Sequence, residues 1–306
     1  MKVYNSVTEL IGRTPLVALK GFGENLYGKC EFLNPSHSVK DRAAYAMIKR
    51  GLDEGKINKD TTIIESTSGN MGIALAMIAA SLGLKIIITM PDSMSLERRA
   101  MMKLFGARLE LTLASLGVKG AYDKAIELQK QTPNSFIPSQ FENVANKNAH
   151  REHTAVEILN DLDDKIDYFV AGVGTSGTIS GVGEVLKEKL GDKVKIIAIE
   201  PSASPLLSEG KAGPHKIQGI GANIVPEILN RSVIDEIKTV SNEDAIKTAQ
   251  TLARQNGLMV GISSGANVFI ASEIAKANPN KIIVTMLNDT AERYLSTDLF
   301  ATLSDN

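Results

Sequence analysis

Short apolar runs that end in a Gly/Ser/Thr turn and give way to a longer helical stretch recur along this 306-residue chain. A strand that returns in parallel needs a long crossover, and a helix is the usual one, so this alternation restricts the chain to parallel βαβ units. Ile63-Ile64-Glu65 reads as a strand, followed by a helix through Ile73, Leu75, Ala76, Ile78 and Ala79. Lys85–Met90 and Arg108–Leu113 read as two more, leading into helices that start near Ser95 and Lys119. The pattern resumes after the polar stretch Gln140–His153. Strands are expected at 167–171, 194–200 and 281–286, with helices at 179–190, at 242–256 and after Gly261. Residues 201–232, rich in Pro, Gly and Ser, read as a long irregular segment, and long ordered loops tend to be functional. The chain is long enough for two α/β domains.

Composition removes several classes of partner. Thirty-four basic and 35 acidic residues leave a net charge of −1, without the basic surplus that nucleic acid or an anionic membrane requires. No apolar run is long enough to span a bilayer, and the start lacks a basic segment followed by an apolar one, so a cytoplasmic protein is expected. The single cysteine, Cys30, excludes an internal disulfide or a cysteine-cluster metal site, and packing as a small apolar residue is its expected role. His37, His150, His153 and His215 show no metal-ligand spacing.

Three segments carry chemistry together that none carries alone. Lys40 lies in Asn34-Pro35-Ser36-His37-Ser38-Val39-Lys40-Asp41-Arg42, and a lysine amine can form a Schiff base with an aldehyde. Thr67-Ser68-Gly69-Asn70 and Gly174-Thr175-Ser176-Gly177-Thr178 each follow an apolar strand and open a helix, where free N–H groups and the helix dipole favour a phosphate. Pyridoxal 5′-phosphate has both an aldehyde and a phosphate. In doubly wound sheets ligands lie beyond the carboxyl ends of the strands, where the Thr67, Gly174 and Ser263 turns all fall. A rival reading uses the same glycines. Gly172-Val173-Gly174-Thr175-Ser176-Gly177 matches G-x-G-x-x-G, and Glu200 ends the next strand where a ribose-binding acid would lie, as in an NAD-dependent oxidoreductase. That reading leaves Asn34–Arg42 and Thr67–Gly72 without a purpose.

The chain resembles the cysteine synthase (O-acetylserine sulfhydrylase) and cystathionine β-synthase family of fold type II pyridoxal-phosphate enzymes along nearly its whole length. The likeness is carried in order by Leu10–Leu16, Asn34–Arg42, Thr67–Gly72, Met94–Arg99, Gln140–Asn143, Gly174–Thr178, His215–Gly221, Gly261–Gly265 and Glu292–Thr297. It implies a tryptophan synthase β-like architecture of two doubly wound three-layer α/β/α domains with the cofactor in the cleft between them. The smaller domain would be 41–145, mobile and bearing the substrate-carboxylate loop, and the larger would be 1–40 plus 146–306. It further implies that Lys40 binds the cofactor aldehyde and later transfers protons, that Asn70 meets the ring oxygen, and that Gly174, Thr175, Ser176, Gly177 and Thr178 form the phosphate cup. Ser263 would face the pyridine nitrogen, with Ser264 next to it as an alternative register. Thr67, Ser68, Met71 and Gln140 would surround the substrate carboxylate, and Gly219 the substrate amine.

The implied reaction replaces the acetyl group of O-acetyl-L-serine with sulfide, giving L-cysteine and acetate through an α-aminoacrylate. Homocysteine as acceptor, with serine or O-acetylserine as donor, is the alternative. The same likeness implies a homodimer and a docking partner in the C-terminal tail of a serine acetyltransferase. The chain ending at Asn306 leaves no room for a regulatory domain pair, which favours a compact bacterial-type form. It departs from the family pattern at Ser66 and Asn288, where proline is common, at Met71, where threonine is usual, at Val144, at Ala155-Val156, and at Ala291, where glycine is common. Met71 removes a hydroxyl from the carboxylate loop.

Overall fold

The computed structural model describes residues 3–301. In chain order the first half forms β1 (Leu16–Ala18), β2 (Leu26–Cys30), α1 (Lys40–Asp53), β3 (Thr62–Ser66), α2 (Asn70–Leu82), β4 (Lys85–Pro91), α3 (Leu96–Leu104), β5 (Arg108–Thr112), α4 (Gly117–Gln131), β6 (Ser135–Phe136) and α5 (Val144–Ala149). A π-helical turn, His150–Thr154, leads into α6 (Ala155–Asp161). The second half continues with β7 (Tyr168–Gly172), α7 (Gly177–Leu190), β8 (Lys195–Pro201), α8 (Leu206–Glu209), β9 (Glu236–Val240), α9 (Asn242–Asn256), α10 (Ile262–Ala277), β10 (Ile283–Leu287) and α11 (Asp298–Ala301).

The chain divides into two compact units. The smaller unites the residues up to Ile11 with Asn34–Asn146 and holds a four-stranded sheet in the order β5-β4-β3-β6, parallel throughout. Its main core packs α1 and α2 through Met47, Ile48, Ile73 and Ile78 together with Ile63 and Ile88 from the sheet. A lesser cluster of Ile64, Ile87, Ala125 and Leu128 fills the α4 side, so helices cover both faces. That is why β4 is buried without a break from Ile86 to Pro91 instead of alternating, its one hydroxyl, on Thr89, donated to the Ala121 carbonyl at 2.7 Å.

The larger unit joins Gly12–Leu33 to Lys147 and beyond, around a six-stranded sheet in the order β1-β2-β10-β7-β8-β9. Only the β1–β2 pair is antiparallel. Helix α10 is buried nearly all round and packs on α9, where a Cβ at Gly265 would lie 2.0 Å from the Ala245 carbonyl. Two doubly wound α/β layers are therefore present, as the strand–helix alternation implies.

The sequence division placed 1–40 in the larger body. The structure groups residues up to Ile11 and 34–40 with the smaller one. Ser36 donates its N–H to Asp41 Oδ2 at 2.7 Å and its hydroxyl to Oδ1, which ties the 34–39 loop to the start of α1. The Ser6 and Ser81 hydroxyls meet at 2.8 Å, fastening the N-terminal segment to the end of α2.

Candidate active site

Lys40 is the first residue of α1, half-buried, with its N–H donated to Ser38 Oγ at 3.2 Å. The loop before it is held by the buried Asp41 carboxylate, which also complements the positive end of the helix. His37, at φ +63°, makes the reversal that the loop needs.

In the same unit the turn after β3 carries Thr67, Ser68 and Gly69, and Asn70 opens α2. All four are half-buried. Thr67 is pinned by its N–H to the Thr89 carbonyl at 3.1 Å, and its Oγ1 accepts from the Gly69 N–H at 3.4 Å. Gly72 is required beneath them: a Cβ there would sit 2.7 Å from Met102 Cε and 3.0 Å from Thr67 Cγ2. Met71 differs from the expectation that set it beside a substrate. It is 2% exposed and belongs to the apolar core, because this first turn of α2 already faces inward. Only its backbone remains available at the helix start.

Gln140 is buried in a tightly bonded loop. Ser139, at φ +56°, accepts at its carbonyl from the N–H groups of Glu142 and Asn143, and the Asn146 side chain donates to the Gln140 carbonyl at 2.8 Å. Sequence reading missed Glu65 at this place. Its Oε1 accepts from the Ser66 N–H at 3.2 Å, the nearby Ser139 N–H favours its charged form, and Oε2 is buried without a hydrogen-bond partner. Glu65 thus links the Thr67 turn to the Gln140 loop. Burial pushes its carboxyl from 4.5 to about 8. In the sequence it looks like the polar end of a strand.

In the larger unit the Gly174 turn joins β7 to α7. Thr175 and Ser176 are buried, Gly177 begins the helix, and Ser176 takes a left-handed φ of +65°. The Ser176 Oγ is buried with no hydrogen-bond partner. A buried hydroxyl left unsatisfied is costly, and here it lies at a helix N-terminus whose N–H groups are unpaired by construction. Gly174 admits no side chain, since a Cβ would stand 2.4 Å from the Gly219 carbonyl. Thr178 Oγ1 lies 3.3 Å from His150 Nε2, whose Nδ1 meets Thr154 Oγ1 at 2.9 Å. This chain of groups behind Thr178 gives His150 a partner that its lack of metal-ligand spacing in the sequence does not reveal. Donors without bulk around one orphan hydroxyl suit a phosphate ester.

Gly219, at φ +98°, lies between this turn and the start of α10: a Cβ on it would be 3.7 Å from Ser263 Oγ. Ser263 and Ser264 are both buried but are bonded differently. Ser264 Oγ accepts from the Asn288 backbone N–H at 2.9 Å, while Ser263 Oγ accepts from the Asn288 side-chain amide at 3.1 Å. The hydroxyl on the Gly219 side is therefore that of Ser263, which favours it over its neighbour. Asn267 fixes the floor, accepting from the Gly172 N–H at 2.8 Å and donating to the Met286 carbonyl at 2.8 Å.

The dinucleotide reading fails here. Both Glu200 oxygens are taken by the start of α8, accepting the N–H groups of Leu207 at 2.7 Å and Ser208 at 3.0 Å and the Ser208 hydroxyl. Glu200 is therefore not free to bind a ribose. No group of three or more His, Cys, Asp or Glu capable of holding a metal occurs among the described residues. Among them, no helix is long and apolar enough to cross a membrane.

A parallel α/β unit with a small-residue turn suited to a phosphate, and a lysine opening a helix in the other unit, define a class of protein. The family model described as pyridoxal-phosphate dependent enzyme matches residues 7–289, and the chain belongs to that family. Its cofactor is pyridoxal 5′-phosphate, which the orphan Ser176 hydroxyl and the Gly174 cradle fit. Cysteine synthase B of Campylobacter jejuni is 70% identical over 301 residues, covering 98% of this chain and 100% of that one. Among solved structures, O-ureido-L-serine synthase aligns with a TM-score of 0.96 at 42% identity, covering 100% of this chain and 98% of that one. Isoform 3 of O-acetyl serine sulfhydrylase from Entamoeba histolytica gives 0.94 at 42%, covering 100% and 94%.

Proposed function

We propose that this protein is a cysteine synthase, exchanging the acetyl group of O-acetyl-L-serine for sulfide to give L-cysteine and acetate. The observation that carries the reading is the full-length 70% identity to a cysteine synthase B. When bound, the cofactor supplies an electron-withdrawing ring conjugated to the substrate amine. The chain supplies the rest. Lys40 Nζ is the group that holds the cofactor between turnovers, removes the proton from the substrate α-carbon and returns it after sulfur has added. Thr67, Ser68, Asn70 and Gln140 bind and orient, with N–H groups at the α2 terminus suited to the substrate carboxylate. The cup from Gly174 to Thr178 anchors the phosphate, and the Gly219 backbone borders the substrate amine.

Ser263 would donate its hydroxyl to the ring nitrogen. A carboxylate there would hold that nitrogen protonated, whereas a hydroxyl does not enforce protonation. A weaker electron sink suits elimination, where the leaving group departs as the proton is lost. Exclusion of water falls to the carboxylate loop closing over the substrate.

The test is a panel of O-acetylserine, O-phosphoserine and serine, each with sulfide or homocysteine, followed by chromatography of the amino-acid product. Cysteine and acetate from the first pair are expected, with activity lost in Lys40→Ala. Borohydride reduction should fix the cofactor on the Lys40 peptide. Turnover with homocysteine alone would move the protein to cystathionine synthesis, and a protein that retains no cofactor would end the reading.

A homodimer is the expected assembly. It is supported by the apolar Leu96, Leu104, Leu113 and Val118 that stand exposed on the smaller unit, and sedimentation measures it. Docking of a serine acetyltransferase tail is the expected further partner, checked by titrating the tail peptide. A reducing cytoplasm suits the one buried, unpaired Cys30.

A further inference from the structure

Asn288 makes two contacts with the serine pair at the start of α10, one from its backbone and one from its side chain. We infer that the Asn288 amide orients the Ser263 hydroxyl, fixing it as a donor toward the cofactor ring nitrogen and so holding that nitrogen unprotonated. The inference rests on the proposed placement of Ser263 at the ring. It concerns a positioning residue, since Asn288 acts only through the serine.

The argument is an accounting of donors. A serine hydroxyl has one proton and two lone pairs, and an amide nitrogen can only donate. Asn288 Nδ2 lies 3.1 Å from Ser263 Oγ, so one lone pair is occupied and the serine proton must point elsewhere. Ser263 is 2% exposed, and Asn288 is the sole partner of its hydroxyl among the described residues. The proton therefore has no competing acceptor among the described residues. An oxygen that accepts one hydrogen bond is also a better donor in the next, which strengthens the outgoing bond.

The backbone adds rigidity. Asn288 follows β10 directly, and its N–H is bonded to Ser264 Oγ at 2.9 Å, so the residue cannot swing away from the helix start. Proline, common here in the sequences that this chain resembles, has neither N–H nor amide and could make neither bond. Asparagine at 288 is thus a feature by which this chain sets its ring environment.

The experiment loads wild type, Asn288→Ala and Asn288→Asp with cofactor labelled with ¹⁵N in the ring, and reads the ring-nitrogen shift by NMR. Cofactor dissociation, kcat and KM are followed alongside. Asn288→Ala is expected to speed cofactor loss about tenfold and lower kcat by a similar factor, with KM little changed. Asn288→Asp should go further. Its carboxylate accepts the serine proton, turns the hydroxyl away from the ring, and shifts the nitrogen signal toward the protonated position. Asn288→Pro, which also loses the backbone bond, separates the amide from the main chain: an effect confined to the proline variant assigns the role to the backbone and overturns the inference. Wild-type signals in both Ala and Asp variants overturn it as well, while leaving the proposed function intact. A wild type that binds no cofactor sinks both.

Discussion

At the scale of single residues, the unusual groups are those that break the rule for their position. Glu65 is a carboxyl in an apolar strand end. Its loss of water, to which the like charge of nearby Glu142 adds, outweighs its two backbone donors, and its proton affinity rises from 4.5 to about 8. The folded state binds this proton more tightly than the unfolded chain does. The stability that it contributes is complete below pH 4.5 and is lost as pH climbs through 8. Wild type should lose about 3–4 kcal/mol between pH 5 and pH 8 from this group alone, and Glu65→Gln should flatten that slope. Urea denaturation at the two pH values measures it, and equal slopes for both proteins would place the titration elsewhere. Gly174 breaks a rule of another kind. Gly174→Ala puts a methyl 2.4 Å from the backbone carbonyl of Gly219, which cannot rotate away as a side chain could. About 1–3 kcal/mol of stability should go, with cofactor retention down at least tenfold, as the absorption of the dialysed protein will show.

Elements show where such rules can be read in a sequence and where they cannot. Helix α9 falls on its expected residues, Asn242–Asn256, because Ser241 caps it through the Asp244 N–H and Gly257 ends it at φ +68°. Punctuation of this kind is local, so sequence carries it. The turns at Thr67, Gly174 and Gly261 were legible for the same reason. Strand β2 was not. Leu26-Tyr27-Gly28-Lys29-Cys30 includes a lysine that is wholly buried, and its Nζ lies 2.9 Å from Glu157 on α6, a pairing across more than a hundred residues. Strand β9 is half-exposed at the sheet edge and looks like a polar linker, and β6 has only two residues. The roles of Glu65 and Asn288 are hidden in the same way, because each depends on a group distant in sequence, the Ser139 N–H for Glu65 and the Ser263 hydroxyl for Asn288. Close helix packing makes a sharper prediction. In Gly265→Ala the new methyl would meet the Ala245 carbonyl at 2.0 Å and the Ala249 nitrogen at 2.8 Å, forcing α10 off α9. A loss of about 3 kcal/mol is expected from thermal or urea melts, and an unchanged midpoint would mean that the helices can separate freely.

For the whole molecule, the informative fact is that each unit has its own sheet and its own core. Such a chain need not unfold in one step. The Gly174–Thr178 turn proposed to hold the phosphate lies within the larger unit, built on β7, α7 and the Gly219 segment. A ligand that binds only the folded form stabilises what it binds, by about 2.7 kcal/mol at a hundred times its dissociation constant. Inorganic phosphate is therefore a probe of that unit alone. Stripped of cofactor and titrated with phosphate, the protein should gain about that much protection in residues 172–190, with little gain in α2 and β4 of the smaller unit. The chain has no tryptophan, so fluorescence resolves the units poorly, and hydrogen exchange followed by mass spectrometry is the suitable measurement. Equal protection of both units would mean that they open together as one cooperative body. No protection in either would mean that the Ser176 hydroxyl and the α7 terminus do not form a phosphate site, and the assignment of Gly174–Thr178 would fail with them.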